Sequence, residues 1–480
     1  MTDQALHFKT ISELAHLLRA GEVTSVALTQ HYLDRVAALN PPLNAYRLVS
    51  GERALEEARL LDEELHSGQD RGILHGIPFA VKDIIDVADQ PTTAGASLLA
   101  DNVATEDANV VRRLRDAGMV LLGKTNTVQL AYGGAGINHD HGTPHNPWHE
   151  QPHVPGGSSS GSGVAVAAGM APMALGSDTG GSVRLPAAMC GVTGLKTTVG
   201  QVSRHGVFPL SWTLDSVGPL ARSAEDAAHL FGAMQGADPD DATTAGRAPH
   251  DVLSTLEDGV GGLRLAFVGG AFRERVDDEV SVAMSHSGEV LKDLGAEIVH
   301  LEFAEAEQAH QLRPAHVIIA AEAWKNNRNY YEKHFDGLDP IISQRLVLGR
   351  DISADQYMSF FQKMMELRNR MGRTLEDVDA VLVPTTLAAA APVAEVDASL
   401  DSYNQYNFGL VQLTLIGNVL NLCGLTVPCG FTRKGLPIGM LIYGKPFCEE
   451  TVLRVGRAFQ QETDWHLTTP DLSWADGSIG

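Results

Sequence analysis

The pattern of apolar and polar positions divides this chain into two regions. The first part shows apolar residues at helical spacing with charged residues between them, and Thr10 and Glu13 have the spacing of a capping box. We expect Gly21 to end the first helix and Asn40, followed by two prolines, to end the second. The pattern therefore predicts an outer layer of three helices, over residues 10–20, 25–39 and 52–67.

From residue 76 onward, short uncharged apolar runs alternate with helical segments. These runs predict buried strands at residues 77–81, 119–125, 263–268 and 380–384. Helices are predicted over residues 110–117, 278–294, 304–328 and 354–377, and residues 236–249 read as a surface loop. Buried strands separated by helices are typical of α/β proteins. The sequence thus predicts a large mixed β-sheet covered on both faces by helices.

Composition limits the classes of function. The 480 residues carry a net charge of −23, which opposes binding to nucleic acid or to an anionic membrane surface. No apolar run reaches the roughly 18 residues that a membrane span needs. The start of the chain has no signal-peptide pattern, and four cysteines are too few for a disulfide framework. We expect a cytoplasmic protein with free thiols.

The most unusual stretch of the chain runs over residues 155–186, with the sequence PGGSSSGSGVAVAAGMAPMALGSDTGGSVRLP. Two Gly/Ser clusters flank the uncharged run 164–175, which we interpret as a core helix followed by a strand. A flexible linker is the alternative interpretation, but a linker would not continue into a buried run. Two anchored turns of this kind can aim hydroxyl and N–H groups at one point.

Three features of the chain could carry chemistry together. Lys82 ends a predicted buried strand, Ser158 to Ser160 follow two glycines, and Ser182 follows Asp178-Thr179-Gly180-Gly181. Taken singly, a lysine after a strand is usually a surface residue and a serine in a glycine-rich loop is usually a turn residue. A serine hydroxyl becomes a good nucleophile when a base removes its proton, and a buried lysine can be that base once it is neutral.

At this point the chain resembles the amidase signature enzymes. The resemblance lies in GIPFAVKD, PGGSSSGS, GSDTGGSVRLPA and GLKTTVG, which occur in the order and spacing of that family. Ser158 and Ser182 are 24 residues apart, as are the two catalytic serines of the family. Shorter matches at residues 146–148, 214–219, 427–430 and 435–439 extend the resemblance over most of residues 10–470.

The resemblance implies a Ser–cis-Ser–Lys triad. Ser182 is then the nucleophile, Ser158 the bridging serine and Lys82 the base. A hydroxyl that accepts one hydrogen bond and donates another can relay a proton between its neighbours. The backbone N–H groups of Thr179, Gly180, Gly181 and Ser182 are the expected oxyanion hole, and we expect Asp178 and Arg184 to pair and hold that turn.

The resemblance also implies a division of the chain. We expect residues 1–480 to be a single amidase domain, with a signature core at about 76–220. The helices of residues 10–67 would pack outside this core, and about 300–415 would shape the substrate site. Our candidates for the substrate pocket are Tyr132, Gly133, Gly134, Ile137 and Val411. The helical residues 324–331 and the aromatic side chains of residues 401–415 are further candidates.

Two other catalytic interpretations start from the same segment. Residues 157–161 fit G-x-S-x-G, the nucleophile elbow of α/β-hydrolases, but that motif requires a strand directly before it and residues 149–155 do not form one. Five histidines, at positions 139, 141, 145, 149 and 153, raise the possibility of a metal hydrolase. Their spacing matches no compact zinc motif and prolines make the segment a loop, so we expect no metal and no cofactor.

A third interpretation is a role within a complex. In the A subunit of glutamyl-tRNA amidotransferase, an aspartate seven residues before an Asn-Leu-Ala-Gly-Leu-Pro motif binds the ammonium of glutamine. The corresponding position here is Val411, and the motif reads Asn418-Val419-Leu420-Asn421-Leu422-Cys423. An apolar side chain cannot neutralise an ammonium group. We therefore favour a free-standing amidohydrolase acting on a small neutral amide, ester or carbamate such as a urethane, with a homodimer left open.

Overall fold

The computed structural model describes residues 5–269 and 275–475. Its strands are β1 Tyr46–Val49, β2 Pro78–Lys82, β3 Val120–Thr125, β4 Met173–Asp178, β5 Thr193–Lys196, β6 Ser216–Ala221, β7 Arg264–Val268, β8 Glu297–Leu301, β9 Ala380–Pro384, β10 Cys423–Phe431 and β11 Pro437–Gly444. In this part of the chain they form one eleven-stranded sheet in the order β1-β3-β2-β4-β6-β5-β10-β11-β9-β7-β8. The predicted α/β class with a large mixed sheet is confirmed.

The helices fill the intervals between these strands. They are α1 Ile11–Ala20, α2 Ser25–Leu43, α3 Gly51–His66, α4 Asn109–Asp116, α5 Ser160–Ala167, α6 Arg184–Cys190, α7 Ala224–Met234, α8 Asp278–Asp293, α9 Ala304–Gln311, α10 Ile318–Lys333, α11 Pro340–Arg350, α12 Ala354–Thr374, α13 Val393–Val396, α14 Leu400–Val419 and α15 Glu449–Glu462. In the described chain, no helix is both long and apolar enough to cross a membrane.

Strand directions bring the ends of β2 and β4 to one edge of the sheet. These two strands are parallel, with Ala80 beside Ala174 and Val81 beside Leu175. β3 also runs parallel to β2, and β6 lies antiparallel on the far side of β4. Because parallel strands end at the same edge, Lys82 at the end of β2 and Asp178 at the end of β4 face one region.

The helix boundaries agree with the sequence pattern at the start of the chain and differ in α2. Thr10 and Glu13 form the predicted capping box, and Gly21 ends α1 in the left-handed conformation with φ 70°. Helix α2 does not end at residue 39, because it continues through two prolines to Leu43. Proline has a helical φ, so Pro41 and Pro42 can continue the helix although each removes one N–H donor to the preceding turn, and the helix ends at Asn44 (φ 50°).

The region between β8 and β10 departs most from the sequence pattern. The single helix predicted over residues 304–328 is two helices, α9 and α10, because Arg313 takes φ 51° just before Pro314 and breaks the helical run. Helices α11 and α14 were not predicted. Helix α14 carries a nearly continuous apolar stretch that gives no clear helical face in the sequence, and it lies with its residues 410 and 412–419 buried.

Candidate active site

Lys82 is the buried end of the site. Its side chain has no exposed surface, and its Nζ lies 2.6 Å from Ser158 Oγ and 2.9 Å from Ser177 Oγ. Burial lowers the pKa of Lys82 to about 7, against the opposing charges of Asp215 and Asp178, because desolvation penalises the ammonium form. A large fraction of this amine is therefore neutral near pH 7, which is what a base requires.

The loop before α5 fixes the position of Ser158. The Gly157–Ser158 peptide bond is cis. The Ser158 carbonyl oxygen accepts hydrogen bonds from the Val128 N–H (3.2 Å) and the Thr127 hydroxyl (2.8 Å). Gly156 has φ 74°, and a Cβ there would lie 2.8 Å from the backbone of Leu185, so only glycine fits. The backbone thus holds the Ser158 hydroxyl against Lys82.

Ser182 lies at the end of the turn between β4 and α6. It is 8% exposed and lines a cavity, whereas Ser158 and Lys82 have no exposed surface. The Ser159 N–H donates to the Ser182 carbonyl oxygen at 3.3 Å, which ties this turn to the loop that carries Ser158. Of the three predicted triad residues, Ser182 is the one that a substrate in the cavity can reach.

An ion pair stabilises the Ser182 turn from beneath. Arg184 Nη2 lies 2.8 Å and Nε 2.9 Å from the two Asp178 oxygens, and neither side chain is exposed. Burial has the largest single effect and raises the pKa of the Asp178 carboxyl, but the charges of Arg184 and Lys196 and the hydrogen bonds from Arg184 and Asn418 together outweigh it and hold that pKa well below its usual range. Asn418 Nδ2 donates to Asp178 Oδ1 at 2.9 Å, so the end of α14 joins the same network.

The backbone of this turn differs from the predicted oxyanion hole at one residue. The Gly181 N–H donates to Asp178 Oδ1 at 2.9 Å, so it is already engaged and the expectation of four inward N–H groups is too large by one. In the described residues, the N–H groups of Thr179, Gly180 and Ser182 have no hydrogen-bond partner in the protein. Gly181 serves the turn by its φ of 132°, which favours glycine.

The cavity above Ser182 has a volume of about 530 Å³, within the range of small-molecule sites. Four of the predicted pocket residues line it together with Ser182: Tyr132, Gly133, Gly134 and Val411. A Cβ on Gly134 would lie 2.9 Å from Val411 Cγ1, so the Gly134 backbone packs directly against the Val411 side chain. A larger residue at position 134 would have to displace the Val411 side chain in the cavity lining.

Most of the other predicted pocket residues lie outside the cavity lining. Ile137 is 1% exposed and does not line the cavity, because it follows Gly136, which has φ 90°, and packs in the core. Residues 324–331 of α10 are not in the lining either. Among the aromatic candidates of α14, Phe408 lines the cavity, whereas Tyr403 is buried behind Gly133 with its hydroxyl 2.5 Å from where a Cβ would be.

The cavity is also lined by polar residues that no sequence pattern singled out: Arg313, His316, Gln344, Arg345, Asn404 and Asn407. Two of them also support the wall. Arg345 Nη1 donates to the Tyr132 carbonyl oxygen at 2.7 Å, and Asn407 Oδ1 accepts from the Gly134 N–H at 2.8 Å. These residues lie far from the glycine-rich motifs along the chain and have no motif of their own, so only the folded structure brings them together.

The histidine-rich loop has structural partners. His139 lies between Asp339 and Asp397, each 2.8 Å from one of its ring nitrogens. His145 Nε2 contacts the His149 carbonyl oxygen at 2.9 Å, and the His149 and His153 rings lie 4.4 Å apart. Within residues 5–269 and 275–475, no group of three or more His, Cys, Asp or Glu residues could hold a metal ion.

The α/β-hydrolase interpretation does not fit the geometry around Ser159. This serine is fully buried, and its Oγ donates to the Ser177 carbonyl oxygen at 3.3 Å. The residues just before it form no strand, only an isolated bridge between His153 and Pro392. A nucleophile elbow needs an exposed hydroxyl at the end of a strand, so Ser159 cannot act as that nucleophile.

Comparisons with known proteins agree on one family. The profile of the Amidase family matches residues 27–453. The A subunit of glutamyl-tRNA(Gln) amidotransferase from Roseiflexus sp. (strain RS-1) is 38% identical, over 97% of this chain and 99% of that protein. The protein of the same name from Thiobacillus denitrificans (strain ATCC 25259 / T1) is 37% identical, over 96% of this chain and 99% of that protein.

Solved structures give the same result. The peptide amidase of Stenotrophomonas maltophilia is 32% identical with a TM-score of 0.80, over 95% of this chain and 97% of that one. The A subunit of glutamyl-tRNA(Gln) amidotransferase from Thermotoga maritima is 31% identical with a TM-score of 0.79, over 96% of each chain. With a family profile matched over most of its length and relatives similar from end to end, this chain belongs to the Amidase family, a family of hydrolases that act on C–N bonds.

Proposed function

We propose that this chain is a serine amidohydrolase in which Ser182 is the nucleophile, Ser158 the proton relay and Lys82 the base. The observation that carries the proposal is the 2.6 Å contact between Lys82 Nζ and Ser158 Oγ in a fully buried environment. Such burial favours the neutral amine, which can accept a proton from the Ser158 hydroxyl. The Ser158 oxygen then takes the proton of Ser182.

The proposed reaction has two steps. Ser182 Oγ forms a bond to the carbonyl carbon while its proton passes through Ser158 to Lys82. The C–N bond then breaks and the leaving amine takes that proton, which leaves an acyl-enzyme on Ser182. In the second step water forms a bond to the acyl carbon and gives a proton to the same relay, the bond between that carbon and Ser182 Oγ breaks, and the relay returns the proton to Ser182 Oγ as the acid product leaves.

Negative charge develops on the carbonyl oxygen in both steps. We assign its stabilisation to the N–H groups of Thr179, Gly180 and Ser182, which are the groups of the turn without a partner in the described protein. Asp178 and Arg184 act at one remove, because their ion pair holds the turn and engages Gly181. Loss of one such N–H donor typically raises the barrier by about 3–4 kcal/mol.

The substrate class follows from the cavity. A volume of about 530 Å³ suits a small or medium-sized molecule. Beside Ser182 the wall includes Leu185, Val411 and Leu415, which favour an uncharged group next to the bond that is cleaved. Amides, esters and carbamates all pass through the same oxyanion, so each of them is a candidate substrate.

Hydrolysis of glutamine within an amidotransferase complex is the second candidate, favoured by the names of several relatives. Recognition of glutamine requires a partner for its ammonium group. Val411 lies in the cavity wall where the resemblance implies an aspartate, and the lining contains no carboxylate in the part of the chain that the structure describes. A buried ammonium without a counter-charge is costly, so the cavity disfavours glutamine.

A substrate panel tests the proposal. We would assay a 4-nitroanilide, a primary amide, an ester, a carbamate and glutamine with the wild type and with Ser182→Ala. Ser285→Ala, which removes an exposed hydroxyl from α8, is the matched control. We expect hydrolysis of the uncharged compounds, its loss in Ser182→Ala only, and little ammonia from glutamine. Turnover that survives in Ser182→Ala would refute the nucleophile, and efficient glutaminase activity would refute the substrate preference.

A further inference from the structure

Three basic side chains line the cavity of a chain whose net charge is −23. They are Arg313, His316 and Arg345, which we call the basic rim. No aspartate or glutamate from the described residues lines the same cavity. A cleft lined by one sign of charge concentrates ligands of the opposite sign. The basic rim therefore favours an anion, in contrast to the rest of this acidic protein.

Within the basic rim, Arg345 has a structural task already. Its Nη1 donates to the Tyr132 carbonyl oxygen, and its guanidinium group lies 5.5 Å from the centre of the Tyr132 ring and 5.1 Å from that of Tyr403. These contacts hold the wall of the cavity and fix the plane of the guanidinium group. Arg345 contributes positive charge to the rim, but its position is committed to the wall by one of its five N–H donors and by its contacts with the two rings.

Arg313 differs from Arg345 because its side chain is exposed. Within residues 5–269 and 275–475, the structure gives its guanidinium group neither a hydrogen bond nor an ion pair. Its backbone is held on both sides, since its N–H donates to the His310 carbonyl oxygen at 3.1 Å and its carbonyl oxygen accepts from the His316 N–H at 2.9 Å. The cavity lining thus includes Arg313, whose backbone is held by hydrogen bonds and whose guanidinium group has no partner among the described residues.

His316 adds a neutral polar group to the rim. Burial lowers the pKa of His316, and the charges of Arg313 and Arg345 lower it further. That effect requires the three side chains to lie close enough to share one electrostatic field. Near pH 7 the ring is mostly uncharged, so it can donate one hydrogen bond while the two arginines supply the charge.

We propose that the substrate carries a carboxylate at the end remote from the cleaved bond, and that Arg313 binds this carboxylate. This inference rests on the proposed function. Guanidinium groups bind carboxylates through two parallel hydrogen bonds, an interaction that Arg313 is free to make. The apolar lining residues Ile319, Val411 and Leu415 suit a hydrocarbon body. The substrate class is thus an amide with a short hydrocarbon chain and a terminal carboxylate.

A pair of anilides of equal size tests the carboxylate. Adipic acid mono-4-nitroanilide ends in a carboxylate, and 6-methylheptanoic acid 4-nitroanilide ends in an isopropyl group of the same shape. We expect kcat/KM of the wild type to be about five- to tenfold higher for the carboxylate compound, because charge-assisted hydrogen bonds at a partly exposed site have this strength. The preference should lie mainly in KM and should weaken as salt is added.

Substitution assigns the preference to a residue. We expect Arg313→Gln to bring the ratio between the two anilides close to one and Arg313→Lys to keep part of it. Arg328→Gln removes the same charge from an exposed position of α10 outside the cavity lining and should keep the wild-type ratio. Calorimetric titration of adipic acid monoamide into Ser182→Ala, with and without Arg313→Gln, measures the same contact without turnover.

The outcomes separate the two proposals. Hydrolysis of both anilides with no preference for the carboxylate, or a preference that survives Arg313→Gln, would overturn the carboxylate site and leave the serine amidohydrolase standing. Hydrolysis of neither anilide, nor of any compound in the substrate panel, would overturn the proposed function itself. Binding of the monoamide that weakens in the Arg313→Gln background would support the site independently of catalysis.

Discussion

Lys82 Nζ and Ser158 Oγ lie 2.6 Å apart although they are separated by 75 residues of chain, and neither side chain has any exposed surface. The strand β2 delivers the lysine, and the loop before α5 delivers the serine. Such a contact places a titratable group with a pKa of about 7 next to a hydroxyl in the interior. It makes the proposed mechanism measurable as a function of pH.

The first prediction concerns the pH dependence of hydrolysis. The base works only as a neutral amine, and the neutral fraction of Lys82 increases as the pH rises through its pKa. We therefore expect kcat/KM to rise with pH, to reach half its plateau at about pH 7 and to stay level above it. A profile measured on an uncharged anilide at constant ionic strength checks this. A rate that falls between pH 6 and pH 8 would contradict the role of Lys82.

Ser177 allows a finer test of the same lysine. Its Oγ accepts a hydrogen bond from Lys82 Nζ at 2.9 Å, which favours the charged form of the amine. We expect Ser177→Ala to move the midpoint of the pH profile downward. Ser216→Ala removes a neighbouring buried hydroxyl that donates to the Asp178 carbonyl oxygen instead, and it should leave the midpoint in place. A midpoint that rises in Ser177→Ala would show that this hydroxyl does not stabilise the ammonium form.

The buried ion pair under the Ser182 turn predicts an asymmetric effect on stability. Arg184→Leu leaves the Asp178 carboxylate buried without its counter-charge, which typically costs about 3–5 kcal/mol of unfolding free energy. Replacing both partners by leucine should cost less than the single substitution, because no isolated charge remains. Urea unfolding of the single and double variants measures both values.

The matched control for that ion pair is Arg350→Leu. Arg350 and Asp351 are both exposed, and a surface pair of this kind contributes little. We expect the urea midpoint of this variant to stay near that of the wild type. Equal losses in Arg184→Leu and Arg350→Leu would mean that burial of the Asp178–Arg184 pair has no special effect.

The close packing of Gly134 against Val411 predicts that a second substitution restores activity lost in a first one. A methyl group on Gly134 would lie 2.9 Å from Val411 Cγ1, so Gly134→Ala should lower kcat/KM by at least tenfold by displacing Val411 in the cavity lining. Val411→Ala removes the opposing methyl groups, and the double variant should recover part of the loss. Gly232→Ala in α7, where a Cβ would contact nothing within 4 Å, is the control. Additive losses in the double variant would exclude a steric cause.

The ion pairs of His139 with Asp339 and Asp397 make the stability of the fold depend on pH. Hydrogen bonds to Asp339 come first among the causes that raise its pKa to about 9, followed by the opposing effect of burial and a contribution from Asp397. Because the folded pKa lies above the ordinary value of 6.5, the stabilisation is complete below about pH 6.5 and is lost as the pH rises through 9.

We therefore expect His139→Gln to lower the Tm at pH 6 and to have little effect at a pH well above 9. His300→Gln, an exposed histidine on β8, should change the Tm equally little at both values. Thermal unfolding at the two pH values measures the difference. A loss of Tm in His139→Gln that is the same at both would show that the charge of the ring does not contribute.

The sequence predicted those parts of the fold and site that depend on local signals. The capping box of α1 and the apolar runs of β2, β3 and β4 are read from neighbouring residues, and the structure confirms them. The glycine-rich turns also belong to short motifs, so Lys82, Ser158 and Ser182 could be singled out together. Lys82 and the turn that carries Ser182 meet at one edge of the sheet because β2 and β4 are parallel neighbours, whereas Ser158 is brought there by the loop before α5.

The remaining features depend on contacts between distant segments. Arg313 and Arg345 reach the cavity because α9 and α10 separate at Pro314 and α11 folds against α10, and nothing near these arginines in the chain signals that arrangement. Engagement of the Gly181 N–H by Asp178 is a detail of turn geometry that residue types do not reveal. Ile137 follows lining residues in the sequence, but it is packed in the core beyond Gly136, whose φ of 90° the sequence does not reveal.

Helix α14 contacts both the Ser182 turn and the cavity. Its last turn anchors Asp178 through Asn418, while its middle presents Asn407, Phe408 and Val411 to the cavity. Substitution of one of these side chains changes the cavity but keeps the contact between Asn418 and Asp178, whereas a shift of the whole helix would also displace the Ser182 turn. Changes in substrate preference should therefore arise from single substitutions in α14. Insertions into this helix should abolish turnover.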